Sequence, residues 1–340
     1  MLTIKHDKPL SPQIYPCPER KNLGGDALRE RWGKDCKKGT KIGESWEISG
    51  LENDLSVVSN GFLEGNNIGE LVEVYMGDLV GESIYEKFGN EFPLLIKIID
   101  ARDTLSIQVH PDNQLAKERH NAYGKSEAWF VLEADPGSSI YNGFRDSTIG
   151  REEYSEAVET GNLPAIMNVV KPVAGDSVYI PAGTLHALGS GLVVAEIQQT
   201  SDVTYRVYDW DRKNEDGSER ELHTDLAIDA IDFSRPPGSL AKADRSVNGV
   251  SVITECEFFT VSIIRTDRKI TRDYSLVDSF IIYLVTEGNI EVEADNSVVS
   301  VSKGETLLIP AVTDYADVKP DQSSAFLEIF IKTDPEINSK

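Results

Sequence analysis

Two histidines and one glutamate occupy positions where a polar side chain is either costly or well placed for chemistry. His110 ends an alternating stretch, residues 104–110, in which Gln108 and His110 share one face of a predicted strand. Glu127 opens a strongly apolar strand, where a carboxylate needs a cation or a metal as its partner. His186 is likewise flanked by small and apolar residues.

These side chains form a mixed nitrogen and oxygen donor set. Two imidazoles and one carboxylate, with the Gln108 amide oxygen as an addition, suit zinc with one coordination position open to water or substrate. Iron(II) or manganese would fit nearly as well. The other histidines, His6, His120 and His223, lie at the terminus or in charged runs and are interpreted as ordinary surface residues.

The elements that must position these residues are mostly strands. Short runs rich in Val, Ile, Tyr and Phe, broken by Gly, Pro, Asn and Asp, predict an all-β framework. One helix is predicted over residues 68–76 from its apolar spacing, with Asn67 as N-cap and Glu70 three residues later. A second is predicted from Thr148 to Gly161. Both are interpreted as small helical insertions.

An internal repeat predicts two related β-barrels. Residues 175–182 (GDSVYIPA) match residues 304–311 (GETLLIPA). His186 follows the first copy, five residues after its proline, whereas Tyr315 takes that place after the second copy. We therefore expect a catalytic barrel in residues 1–235 and a second, degenerate barrel without metal ligands in residues 236–340. The Pro- and Gly-containing segment 233–239 forms the predicted boundary.

Composition restricts the class of protein and its partners. The N-terminus has no signal-peptide pattern and no apolar run is long enough for a membrane span, so a soluble protein is expected. Three scattered cysteines favour a reducing compartment, here the cytoplasm. The net charge of −23 opposes binding to nucleic acid and to anionic membranes. No obligate protein partner is inferred.

Several motifs together resemble the type I phosphomannose isomerase family of the cupin superfamily. They run in family order over about residues 40–212, and the chain resembles the shorter bacterial form. The resemblance in the C-terminal third is architectural only. The motifs are residues 43–49 (GESWEIS), 93–97 (PLLIK), 108–111 (QVHP), 124–127 (GKSE), 183–187 (GTLHA) and 196–209 (EIQQTSDVTYRVYD).

The resemblance implies two cupin-type jelly-roll barrels, one zinc ion per chain, and interconversion of mannose 6-phosphate and fructose 6-phosphate through an enediol-type intermediate. Its metal ligands fall on Gln108, His110, Glu127 and His186, the set already chosen from residue type. The essential arginine falls on Arg206, and positions lining the pocket or near the substrate phosphate fall on Lys97, Lys125, Glu196, Ser106 and Arg212. These cations would also meet the need of an anionic sugar phosphate for local positive charge.

The general base is left open among three groups. Glu196 would serve if burial raised its pKa, Lys125 if its pKa were lowered, and water bound to the metal is the third option. We favour Glu196. Two other functions compete with this one: a non-catalytic sugar-binding or regulatory cupin, and an isomerase of another sugar phosphate, because function belongs to the site rather than to the scaffold.

Overall fold

Strands dominate the computed structural model of the chain, which describes residues 2–5, 24–34, 41–214, 216–295 and 297–333. The predicted all-β framework with small helical insertions is thereby confirmed. The strands before the predicted boundary are β1 (Leu2–Lys5), β2 (Glu44–Ser49), β3 (Val57–Val58), β4 (Leu94–Ala101), β5 (Ile107–Val109), β6 (Glu127–Ala134), β7 (Ile140–Phe144), β8 (Met167–Val170), β9 (Asp176–Ile180), β10 (His186–Leu188), β11 (Leu192–Gln199) and β12 (Tyr205–Tyr208). The short strand β13 (Ala241–Lys242) follows directly after that boundary.

The remaining elements are nine strands and a few short helices. The C-terminal strands are β14 (Gly249–Glu255), β15 (Thr260–Thr266), β16 (Ile270–Asp273), β17 (Ile281–Glu287), β18 (Asn289–Ala294), β19 (Ser297–Ser302), β20 (Thr306–Ile309), β21 (Tyr315–Pro320) and β22 (Ser324–Phe330). The α-helices are α1 (Ala27–Glu30), α2 (Ile68–Val80), α3 (Glu82–Phe88), α4 (Asn113–His120), α5 (Arg151–Glu159) and α6 (Thr224–Ala230), with 3-10 turns at Gly61–Leu63 and Leu163–Ile166. Among the described residues, no helix is both long and apolar enough to span a membrane.

Both predicted helices are present. The helix expected over residues 68–76 is α2, and Asn67 forms the predicted capping box with Glu70. The helix continues to Val80 because its chain resumes helical geometry after Met76, which has φ 46°. The second helix, α5, is shorter than predicted and ends at Glu159, with Gly161 at φ 67° just beyond it.

In the first half, two antiparallel sheets face each other. One has the order β13-β9-β6-β11-β4-β2 and the other β12-β5-β10-β7-β8. Apolar residues of both sheets, among them Ile99, Val131, Ile140 and Leu188, fill one end of the space between them. None of the described strands closes the two sheets into a continuous barrel.

The second half repeats this arrangement. Its sheets have the orders β14-β15-β22-β17-β20-β1-β3 and β16-β21-β18-β19. If β2 and β4–β11 are matched with β14–β22 in chain order, every neighbour relationship within the two sheets is reproduced. The two sequence copies are β9 and β20, and their third residues after the glycine, Val178 and Leu307, pair with Trp129 and Tyr283. The internal repeat is confirmed.

The two halves share a hydrophobic core. It is formed by the outer face of the six-stranded sheet, the seven-stranded sheet and α2, and includes Ile96, Ile197, Phe280 and Leu327. Strands also cross between the halves: β1 pairs with β20, and β13 pairs with β9. If the chain is divided near residue 235, each part therefore contributes one strand to a sheet of the other part.

Candidate metal centre

The three predicted ligands meet between the two sheets of the first half. Ligand atoms of His110, Glu127 and His186 all lie within 4.8 Å of one another. Glu127 comes from β6 of one sheet and His186 from β10 of the other, while His110 follows β5 directly. The side chains of Glu127 and His186 are 0% exposed and that of His110 is 1% exposed. Within the described part of the chain, no other such group of His, Cys, Asp and Glu side chains is present.

A glycine turn directly before β10 is hydrogen-bonded to His110. Gly183 has φ 87°, and a Cβ there would approach the Ala230 carbonyl oxygen to 3.1 Å. Its N–H donates to the His110 carbonyl oxygen at 2.8 Å. Since only glycine adopts this conformation without steric cost, the turn fixes where β10 begins and where His186 lies.

Backbone carbonyls set the orientation of both imidazoles. Nδ1 of His110 lies 3.0 Å from the Val203 carbonyl oxygen, and Nδ1 of His186 lies 2.8 Å from that of Thr184. A carbonyl oxygen only accepts, so each Nδ1 carries a proton, and in the neutral ring Nε2 presents its lone pair to the cluster. Burial, with the nearby Lys125 ammonium, lowers the pKa of His110 to about 3, which keeps that ring neutral.

The surroundings of Glu127 fit a bound cation. Nε2 of His186 lies 3.1 Å from Oε1, and Nε2 of His110 lies 3.4 Å from Oε2. With both Nδ1 atoms protonated, these contacts bring lone pairs against a carboxylate and provide no hydrogen bond. Apart from the Lys125 ammonium, whose Nζ lies 2.8 Å from Oε2, neither carboxylate oxygen faces a hydrogen-bond donor. A divalent ion coordinated by all three groups would compensate the free-energy cost of burying them together.

Gln108 adds a fourth group at the same place. It pairs with His186 across β5 and β10, and its Nε2 lies 3.3 Å from Nε2 of His186. A half-turn of the terminal amide exchanges this nitrogen for the carbonyl oxygen, which is a metal donor. The residues present therefore fit an ion with two nitrogen and two oxygen ligands.

Lys125 supplies the positive charge closest to the cluster. Its Nζ lies 2.8 Å from Glu127 Oε2 and 3.1 Å from His110 Nε2. Burial alone would lower the pKa of Lys125, but the carboxylates of Glu127 and Glu196 outweigh burial and raise it. Burial alone would likewise raise the pKa of Glu127, but the Lys125 ammonium holds it well below its usual range.

A second polar group lies beside the cluster. Glu196 is 3% exposed, accepts a hydrogen bond from Trp129 Nε1 at 2.8 Å and pairs with Lys97 Nζ at 3.1 Å. The Trp129 ring meets the His186 ring edge-on at 5.5 Å between centroids. Trp129 was not among the predicted site residues, although it lies two residues after Glu127 on the same strand face, and this alternation is the signal that could have identified it.

Arg206 lies in β12, and Ser106 lies directly before β5, both next to the cluster. Arg206 in β12 pairs with Gln108, which pairs with His186, so the three side chains follow one row across the sheet. Ser106 is buried and precedes Gln108 by two residues, on the same predicted face.

Arg212 is held by hydrogen bonds to two neighbouring residues. Its guanidinium donates to the Thr104 carbonyl oxygen at 2.6 Å and to Asp209. Asp209 also accepts from Arg220 Nε at 2.7 Å. Arg212 thus belongs to a cluster of two cations and one anion at the end of β12, and its contact with Thr104 places it at the Ser106 side of the site.

Gln198 and Gln199 form hydrogen bonds with nearby backbone groups. His120 is exposed as expected, but His223 is half-buried and contacts Arg206, which no local sequence feature indicates. His6, Cys17 and Cys36 lie outside the described residues, and Cys256 is a free thiol.

Among its described residues, the second half has no ligand set equivalent to His110, Glu127 and His186. By strand pairing, Ile281 occupies the position of Glu127, because each pairs with the fifth residue after the repeated glycine. Glu328 occupies the position of Glu196, and Arg272 pairs with it at 2.8 Å. A buried carboxylate was kept there, but with an internal guanidinium as its partner.

Comparisons with known proteins point to one family. A family model described as the phosphomannose isomerase type I catalytic domain matches residues 19–128. A mannose-6-phosphate isomerase of Streptococcus mutans is 36% identical over 297 residues, which make up 86% of this chain and 89% of that protein. The mannose-6-phosphate isomerase ManA of Bacillus subtilis is 33% identical over 79% of this chain and 84% of its own length. The crystal structure of a Bacillus subtilis mannose 6-phosphate isomerase matches with a TM-score of 0.80 and 30% identity, covering 91% of this chain and 96% of that one.

Proposed function

The chain belongs to the type I phosphomannose isomerase family, and from this membership we propose that its catalytic centre is the buried cluster of His110, Glu127 and His186 with one zinc ion. Its activity is the interconversion of mannose 6-phosphate and fructose 6-phosphate. The observation that carries the assignment of the centre is the carboxylate of Glu127, which is fully buried and lies between two imidazole lone pairs.

Zinc is the ion proposed because the donor set is two imidazoles, one carboxylate and one amide oxygen. Three or four such ligands with one position left for substrate are typical of catalytic zinc. When bound, a divalent ion stabilises negative charge on the sugar oxygens as a Lewis acid. The side chains proposed to hold it are Gln108, His110, Glu127 and His186.

The residues around the cluster have to stabilise charge and move one proton. Isomerisation transfers a proton between C1 and C2 while negative charge grows on the neighbouring oxygens. In the proposal, Arg206 supplies a fixed positive charge beside these oxygens, on the row that contains Gln108 and His186. Lys125 carries a second positive charge, because its pKa is raised by the carboxylates of Glu127 and Glu196.

Glu196 is the proposed general base. The carboxylates of Glu127 and Glu196 raise the pKa of Lys125 in the metal-free protein, so we assign Lys125 the role of a positive charge rather than that of the base. Glu196 is held from two sides, by Trp129 Nε1 and by Lys97 Nζ, and therefore has a defined orientation. A base needs this fixed geometry before its pKa becomes relevant.

The substrate phosphate is proposed to lie toward Ser106 and Arg212. Along an extended strand, Ser106 is about 7 Å from Gln108, so a group bound there is one sugar length from the metal ligands. The cluster of Arg212, Arg220 and Asp209 has one excess positive charge and would attract the dianion. Lys97, 10% exposed beside Glu196, is proposed to contact the sugar.

The finer architecture and the location are also proposals. The same strand order in both halves supports two jelly-roll units of the cupin type, with residues 1–235 catalytic and residues 236–340 degenerate. The pairing of β1 and β13 with the opposite halves is consistent with two units that fold together. A cytoplasmic location is proposed from the three scattered cysteines.

Metal reconstitution tests the proposed centre. The protein is stripped with a chelator and reloaded separately with zinc, manganese or iron(II), and each form is assayed with mannose 6-phosphate, glucose 6-phosphate and fructose 6-phosphate. We expect activity to return with one zinc per chain and turnover of the mannose and fructose esters. Activity that survives full removal of the metal would refute the centre, and recovery with manganese or iron alone would refute zinc.

A further inference from the structure

One residue of a later segment holds the backbone of Arg206. β12 is an edge strand of its sheet, and Arg206 pairs with Gln108 of β5. The backbone N–H and carbonyl of Arg206 point away from β5, toward the outer side of the edge strand. The Arg206 N–H instead donates to Nδ1 of His223 at 3.1 Å, and the His223 N–H donates to the Arg206 carbonyl oxygen at 2.7 Å. In such a non-hydrogen-bonded pair, the side chains of the two strands lie closest together.

The same segment also holds the guanidinium. Nη1 of Arg206 donates to the Glu221 carbonyl oxygen at 3.0 Å, two residues before His223. The segment therefore contacts Arg206 at three atoms: the backbone nitrogen, the backbone oxygen and one guanidinium nitrogen. Hydrogen bonding to the free backbone groups of an edge strand would account for the first two contacts, but not for the contact between the guanidinium and the Glu221 carbonyl oxygen.

A buried ion pair anchors this segment at the end of β12. Asp209 accepts from Arg220, whose side chain is 10% exposed, and Arg220 directly precedes Glu221. Burial alone would raise the pKa of Asp209, but the hydrogen bonds and charges of Arg220 and Arg212 lower it. The ionised Asp209 therefore fixes the position of the Glu221 carbonyl.

We propose that His223 is a positioning residue of the isomerase: through its ring Nδ1 and its backbone it fixes the strand position from which Arg206 reaches the sugar oxygens. This inference rests on the proposed function only for the role of Arg206. It extends to Asp209 and Arg220, which hold the Glu221 carbonyl against the same guanidinium. The ring acts as an acceptor because Nδ1 faces an N–H group.

Two substitutions at position 223 separate the acceptor from the bulk of the ring. Leucine fills similar space and accepts no hydrogen bond, whereas the amide oxygen of asparagine can take the place of Nδ1. We expect His223→Leu to lower kcat on the order of 10-fold to 100-fold, as a displaced catalytic charge does, with KM, bound metal and thermal midpoint close to those of the parent enzyme. We expect His223→Asn to retain at least about half of the parent kcat.

A second variant and a matched control complete the experiment. Arg220→Gln breaks the pair with Asp209 and is expected to lower kcat to a similar extent as His223→Leu. Because Arg220 also belongs to the cluster proposed to attract the substrate phosphate, its KM is expected to rise, and only the change in kcat bears on the positioning role. Ser218→Ala lies in the same segment and removes the bonds between Ser218 and both Asn214 and Asp216, away from Arg206, so its kcat should stay unchanged.

Different outcomes would refute the positioning role of His223 and the proposed isomerase activity. Equal losses in the leucine and asparagine variants, loss of kcat in Ser218→Ala, or unchanged kcat in both His223→Leu and Arg220→Gln would overturn the positioning role. If the leucine variant is unstable, Arg220→Gln and His223→Asn decide the matter alone. A parent enzyme without mannose 6-phosphate turnover would refute the proposed function instead, and full activity in Arg206→Ala would refute the role of the arginine.

Discussion

At the scale of single residues, the candidate metal centre combines buried groups that a bound divalent ion would stabilise. Glu127 and the two imidazoles are almost completely buried, and the Nε2 lone pairs face the carboxylate. Burial of such groups normally costs several kcal/mol unless a metal or a hydrogen bond compensates it. The cost is tolerated where the groups bind an ion, so each ligand should matter for metal content as well as for turnover.

Removing one imidazole tests this directly. His186→Ala should lose bound metal and activity together, because the remaining ligands hold a divalent ion less tightly than the complete set does. Metal content is measured by atomic absorption and activity with mannose 6-phosphate. His120→Ala, which removes an exposed imidazole, should keep both. Full metal retention in His186→Ala would remove His186 from the ligand set.

The depressed pKa of His110 predicts a pH-dependent stability of the metal-free protein. Burial lowers this pKa from 6.5 to about 3, so below pH 6.5 the unfolded chain binds a proton that the folded chain does not. Stability from this group is therefore fully present above pH 6.5 and is lost as the pH falls toward 3. Between pH 6.5 and 5 the loss should be about 2 kcal/mol.

Denaturant unfolding of the metal-free protein at several pH values measures this effect. His110→Gln should show a shallower decline of the unfolding free energy with acid, while His120→Gln should follow the parent curve. Identical curves for His110→Gln and the parent would show that His110 titrates normally in the folded state.

At the scale of elements, α2 contains one residue in an unfavourable conformation. Met76 has φ 46° and ψ −128° inside the helix, and its side chain is 48% exposed. A non-glycine residue in such a region costs about 1–3 kcal/mol. Because little packing would be lost, Met76→Gly should raise the free energy of unfolding by about 1 kcal/mol.

The neighbouring exposed position provides a control of opposite sign. Val74 is 68% exposed and has regular helical geometry, so Val74→Gly should lower the free energy of unfolding by about 1 kcal/mol. Both values come from denaturant unfolding at one pH. If both glycines destabilised the protein, the conformation of Met76 would not be strained.

At the scale of the whole molecule, the two halves are expected to unfold together. They share one hydrophobic core, and each half supplies a strand to a sheet of the other. All four tryptophans, Trp32, Trp46, Trp129 and Trp210, belong to the first half. Tryptophan fluorescence therefore reports on that half, while far-ultraviolet circular dichroism reports on both, and the two thermal transitions should coincide.

A substitution in the second half should shift both signals. The Phe280 ring lies 4.6 Å from that of Phe92 in the shared core, and Phe280→Ala should cost about 3–5 kcal/mol. We expect the fluorescence transition of the first half to move by the same amount as the dichroism transition. Val298→Ala, at an exposed position of β19, serves as the control and should move neither. A fluorescence transition that stayed in place would mean that the halves unfold independently.

Much of the centre was predictable from local sequence patterns. Alternation along residues 104–110, a carboxylate opening an apolar strand and the small and apolar neighbours of His186 indicated Gln108, His110, Glu127 and His186, because these features depend on neighbours a few residues apart. The same locality explains why the capping box of α2 and the two copies of the repeat were recognisable.

Only the tertiary structure decided how these residues act on one another. The contact between Gln108 and His186 joins residues 78 apart, and that between His110 and Val203 joins residues 93 apart. The raised pKa of Lys125 and the hold of His223 on Arg206 likewise arise where distant strands pair in one register. The type and spacing of side chains can be read from a short segment of sequence. The electrostatic environment of a side chain depends on strands that are distant in sequence and become its neighbours only when the chain folds.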